Sequence, residues 1–108
     1  MTTDQSQMAL DHANHVRLQH AQIVAAIRAA GRRTGAHRAI EVIEDRGASI
    51  TYWRLLKAVR GVADRRARNM LNRSAINPEA RINDRNITDR QRNLLIGQLV
   101  RYAEGARS

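Results

Sequence analysis

The chain is 108 residues long, enough for one domain, with 43% apolar residues and no cysteine. That excludes a disulfide frame and a thiolate metal site, and no apolar run reaches the roughly 18–20 residues a membrane helix needs. The formal charge of +9 is lopsided: from residue 46 onward thirteen arginines and Lys57 face five acids, whereas before it five arginines balance five acids. A charge segregated in this way points to a polyanionic partner, nucleic acid first.

Residues 1–7 are polar, with neither a basic n-region nor an apolar h-region, so they read as a disordered start and not a signal peptide. Residues 8–30 contain no Gly or Pro, and Val16, Ile23, Ile27 and Ala30 make one helical stripe. Gly31 is expected to stop this long helix, and Arg32, Arg33, Thr34 and Gly35 to form a basic turn. A short helix follows over 36–45, with Ala39, Ile40 and Ile43 inward and Gly47 as its end. Ser49 or Thr51 can cap a third helix over 52–59. Its inner face is read as Trp53, Leu55, Leu56 and Val59, with Tyr52 half exposed.

Gly61 breaks the chain again, and a fourth helix over 64–73 buries Ala67, Met70 and Leu71. Residues 74–87 are irregular and hold the only proline, Pro78. Thr88, Asp89, Arg90 and Gln91 spell a capping box, in which the Thr hydroxyl and the Gln side chain satisfy orphan backbone donors. The last helix then turns Leu94, Leu95, Leu99 and Val100 inward and stops at Gly105, leaving 106–108 to fray. Strand signals are nearly absent. The prediction is an all-α chain of about five helices: a disordered start at 1–7, a long and a short helix over 8–45, and a basic module over 46–105, all in one compact domain.

The chemistry concentrates at the turn of Gly61 and Val62. Glycine lets the backbone approach a ligand, Val62 can anchor the turn in the core, and free amides at a helix start attract phosphate. Arg60, Arg65, Arg66 and Arg68 flank it, and Arg81 and Arg85 form a second basic turn downstream.

These residues carry a resemblance. Residues 55–99 resemble a helix–two-turn–helix module, the kind that faces rRNA in the small-subunit head protein of the bacterial ribosome. They are more similar to the DNA-binding module of the actinobacterial integration host factor family. Leu55-Leu56 matches that family's Leu-Leu before the turn, Gly61-Val62 its turn, and Arg66-Ala67-Arg68 its basic-Ala-basic run. Arg81 to Arg85 matches its second turn, and Asp89-Arg90-Gln91-Arg92 its helix opening. With the long first helix, the likeness covers residues 8–101. Two departures stand out: Asp64 occupies a place where the family often has Lys, and the second turn is about two residues longer. The chain is therefore similar to a divergent member.

The resemblance implies a nucleoid-associated, cytoplasmic protein that binds double-stranded DNA across the minor groove, bends or compacts it, or assists a recombinase. It implies contacts from Arg60, Arg65, Arg66, Arg68, Arg81 and Arg85, with the backbone of Gly61, Val62 and Ala63 orienting one phosphate. Arg32 and Arg33 would reach a neighbouring phosphate. Structured RNA is the alternative ligand, and a protein–protein adaptor the alternative class. A monomer with no cofactor is expected. His12, His15, His20 and His37 read as a polar helix face and not as metal ligands. Trp53 is read as core, ahead of a base-stacking role. No nucleophile–base pair, nucleotide loop or paired carboxylate stands out, so no enzymatic activity is expected.

Overall fold

The computed structural model describes residues 2–105, with side chains from Gln7 onward. Of the start read as disordered, the backbone of 2–7 lies in the first helix, whereas Met1 and the expected fray at 106–108 lie outside the described residues. Five helices follow in order: α1 (Thr2–Ala29), α2 (Gly31–Asp45), α3 (Tyr52–Ala58), α4 (Asp64–Arg73) and α5 (Asp89–Glu104). Among the described residues the only strand-like pairing is one isolated antiparallel bridge between Thr51 and Arg81. The chain is all-α, as predicted.

α1 and α2 meet at a corner. Gly31 turns the chain at φ 84°, yet the helix resumes at once. The expected basic turn is therefore the first turn of α2, and Arg32 and Arg33 are helical. Gly35 explains the difference. A Cβ on it would stand 2.7 Å from the Ile27 carbonyl oxygen, so the bare glycine lets α2 fold back against α1. Two glycines in five residues resemble a loop, whereas Gly35 is a packing contact. α2 ends at Asp45, two residues before Gly47, and its C-cap Arg46 takes φ 62° and returns its N–H to the Val42 carbonyl.

Thr51 caps α3, accepting from the Arg54 N–H at 3.2 Å. Leu55, Leu56 and Val59 are buried as predicted. The aromatic pair is reversed from expectation: Tyr52 is fully buried, and Trp53 sits half-buried at the rim of the core. Tyr52 is the residue three and four positions ahead of Leu55 and Leu56, so it shares their stripe, and Trp53 does not.

Residues 74–87 are irregular but pinned. Ile82 N–H donates to the Ile50 carbonyl at 2.9 Å, Tyr52 N–H to Ala80 at 2.9 Å and Trp53 N–H to Pro78 at 3.0 Å. Ile76, Ile82 and Ile87 plug into the core; each fully buried aliphatic side chain contributes about 1.5–3 kcal/mol.

The capping box at Thr88 and Gln91 opens α5 as predicted. Leu95, Leu99, Tyr102 and Ala103 face inward, while Leu94 is 45% exposed and lies outside the stripe assigned to it. Two polar side chains are buried instead. Gln98 donates to the Met70 carbonyl at 2.8 Å and to Ser74 Oγ at 2.7 Å, tying α5 to the end of α4. Arg92 donates to the Ile87 carbonyl at 2.7 Å and pairs with Asp89. That pairing, with Arg46 at 2.7 Å on the same oxygen, holds the Asp89 carboxyl below the ordinary carboxylate value.

α2 and α5 are the central pair, with α1 across α2 and α3. Ile27 is fully buried and Ile23 packs beside it, so the α1 stripe does land on the chain's own helices. Met8, Leu10 and Leu18 on α1 are exposed, and the molecule measures 60 × 30 × 22 Å.

Candidate nucleic-acid interface

The turn between α3 and α4 is built from the inside. α3 ends at Val59, and the Val62 N–H returns to the Val59 carbonyl at 3.1 Å. Val62 is 4% exposed and anchors the turn in the core, as expected. Gly61 takes φ 87°, the left-handed region. From α5, the Tyr102 hydroxyl donates to the Arg60 carbonyl at 2.7 Å and lies where a Cβ on Gly61 would be. Glycine is thus required twice here, for its backbone angle and for room. Ala63 is the N-cap of α4 and supplies no side-chain cap, so the first amides of α4 are left to solvent or to an anion.

Around this turn lies a groove of about 820 Å³. Arg32 enters it from α2, Arg65, Arg66 and Arg73 from α4, and Arg101 from α5, with Gly61, Ala63, Asn69 and Tyr102 among the other lining residues. No acid lines it. The Arg32 guanidinium stands 4.1 Å and that of Arg66 5.0 Å from the centroid of the Tyr102 ring. One aromatic therefore steadies two cations through its electron-rich face. Five like charges in one groove repel one another, and a polyanion entering it relieves that repulsion.

Asp64, the one acid beside the turn, is outside the groove. It pairs with Lys57, whose hydrogen bond and charge hold its carboxyl below the ordinary range. Ala63 holds the N-cap position of α4, and Asp64 is the first helical residue. An aspartate there complements the helix dipole without reaching back to the backbone.

The residues singled out by sequence separate into groups. Arg32, Gly61, Ala63, Arg65 and Arg66 line the groove, and Val62 supports it from below. Arg60 contributes its carbonyl to the Tyr102 tether. Arg68 and Arg81 lie on the other flank of α4, in a cleft of about 570 Å³ with Trp53. Arg81 also donates to the Ser49 carbonyl at 2.7 Å, holding the 74–87 loop against the entry to α3. Arg33 and Arg85 are exposed and line neither hollow.

Sequence reasoning missed Arg73, Arg101 and Tyr102. Arg73 is legible in retrospect, because Arg65, Asn69 and Arg73 fall four apart on one face of α4. Arg101 and Tyr102 come from a distant helix and carry no local signal.

Among the described residues no cluster of three or more His, Asp or Glu can hold a metal ion, and no helix is long and apolar enough to cross a membrane. His20 shares a hydrogen bond with Ser49 at 2.9 Å. Burial first, then the charges of Arg54 and Arg81, push its pKa below the ordinary 6.5. Comparison with protein-family models, with curated proteins and with solved structures finds no match for this chain.

Proposed function

We propose that this chain binds double-stranded DNA through its phosphates, using the groove at Gly61. The observation that carries the reading is the lining: five arginines from three helices and no acid. Guanidinium groups meet phosphate oxygens in bidentate fashion, and uncapped amides at a helix start favour an anion. Both devices read the backbone and not the bases, so binding is weakly sequence-selective. The likeness of the Gly61-Val62 turn and its basic flanks to the integration host factor module supports the same ligand. An architectural role, bending or compacting duplex DNA, follows from that likeness.

A salt titration tests it. If the five groove arginines each neutralise one phosphate, log K falls against log salt with a slope of about −4.5. Affinity for a random duplex then drops roughly 500-fold between 50 and 200 mM salt, as read by anisotropy of an end-labelled duplex. The pair Arg66→Ala and Arg101→Ala makes the slope shallower by about 1.8. A slope near zero, or one the double variant leaves unchanged, overturns the reading. Preference for structured RNA over duplex in competition would reassign the ligand.

A further inference from the structure

α4 has two flanks, and only one of them faces the arginine groove. On the other, Thr51, Trp53, Arg68, Pro78, Glu79 and Arg81 form the separate cleft of about 570 Å³. Its size is within the range of small-ligand sites. The backbone around it is tied down: Trp53 N–H donates to the Pro78 carbonyl at 3.0 Å, and the Arg81 guanidinium donates to the Ser49 carbonyl at 2.7 Å.

Trp53 is half-buried, with part of its ring open to the cleft, in a chain with one Trp, two Tyr and no Phe. Two cations stand at its margin, Lys57 Nζ at 5.6 Å and Arg68 Cζ at 5.9 Å from the ring centroid. Those distances are near the outer limit of a cation–π contact, about 6 Å, so neither cation is seated closely on the ring. Glu79 is the one acid in the lining, against Arg68 and Arg81.

We propose that this cleft takes one unstacked base of a single nucleic-acid strand, with the base on the Trp53 indole and its flanking phosphates on Arg68 and Arg81. An aromatic ring with cations at its edge is the combination that single-strand binders use, because every base has a π-face and every nucleotide a phosphate. A base inside a duplex already stacks on both faces and has none free for the indole; an unpaired one has. Glu79 offers a carboxylate that accepts from an exocyclic amino group or ring N–H. DNA and RNA single strands share this chemistry. The slot is distinct from the arginine groove, so either can fail while the other stands.

Trp53 is the only tryptophan, so its emission reports the site directly. The full chain is titrated with end-labelled dT10, rU10 and a blunt duplex at fixed salt, following label anisotropy and tryptophan emission together. Quenching of Trp53 in step with single-strand binding, and little quenching when the duplex binds, is the expected result. Trp53→Leu keeps apolar bulk but no π-face, and weakens single-strand affinity roughly 5- to 150-fold with duplex affinity unchanged. Trp53→Phe retains stacking and restores most of the affinity. Equal loss with dT10 and rU10 assigns the site to either strand chemistry, and loss with one alone assigns it to that one. The proposal is overturned if neither single strand binds. It is also overturned if saturation leaves the emission unmoved, if the duplex quenches as strongly, or if Trp53→Leu binds as wild type does. The pair Arg66→Ala and Arg101→Ala weakens duplex binding and leaves the quenching of Trp53 by a bound single strand in place, which separates failure of the groove from failure of the slot.

Discussion

Gly61 and Tyr102 make a double-mutant cycle whose outcome can be worked in advance. A Cβ at Gly61 would stand 2.2 Å from the Tyr102 hydroxyl oxygen and 3.6 Å from Cζ, so only the hydroxyl is in the way. Gly61→Ala then has two costs. A non-glycine residue at φ 87° costs about 1–2 kcal/mol. Displacing the hydroxyl breaks its bond to the Arg60 carbonyl, about 0.5–1.5 kcal/mol more. The sum is about 1.5–3.5 kcal/mol, or a fall in Tm of roughly 7–15 °C for a domain of this size. Tyr102→Phe loses only the hydrogen bond, about 1 kcal/mol, and keeps the ring under Arg32 and Arg66. In the Phe background the alanine meets no hydroxyl, so it costs only its backbone term. The double variant is therefore less damaged than the sum of the singles by about 0.5–1.5 kcal/mol. Urea denaturation of all four proteins reads the cycle. Strict additivity, or a Gly61→Ala cost below about 0.5 kcal/mol, refutes the claim that the turn and α5 share one site of close contact.

Three further outcomes are expected. Gln98→Leu removes the two donations that join α5 to Met70 and Ser74, and lowers stability by about 1–3 kcal/mol in the same denaturation assay. Thr88→Ala removes the cap of α5 and costs about 1 kcal/mol. His20 has its folded pKa depressed, so the native state favours the neutral ring. Its contribution is intact above the ordinary 6.5 and is lost as pH falls below it, through the lowered folded value. The Tm of wild type therefore declines between about pH 7 and 5 more steeply than that of His20→Asn, and parallel curves would contradict this.

Much of the architecture could be read from neighbours in sequence. Thr88 and Gln91 state a helix start within four residues, and Gly61 followed by Val62 states a turn with an anchor. The errors fall where a residue's role depends on another helix. Gly35 is read as a loop glycine until Ile27 is seen against it. Trp53 reads as core in a chain so poor in aromatics, although Tyr52 has the spacing to Leu55, Leu56 and Val59 that defines the face. Leu94 fails the same test, since Leu95, Gln98, Leu99 and Tyr102 are the residues in register. The candidate groove was half legible. Its α4 arginines lie in one run, but Arg32 and Arg101 reach it only because α2 and α5 pack as the central pair. The basic turn of 81–85 does not join that groove, because Arg81 lies in the separate cleft with Trp53 and Arg68, on the far flank of α4.

Gly105 is among the residues around the arginine groove, directly after α5 ends at Glu104. Anything fused downstream therefore departs from the rim of the hollow that we assign to DNA. An affinity tag joined there competes with the ligand for the same space, and an acidic tag also neutralises Arg101 and its neighbours. A tag joined ahead of α1 is carried on a 28-residue helix that contributes no residue to the lining of that groove. Binding measured with the two tags would differ for this reason alone, and the upstream fusion is the one that leaves the groove open.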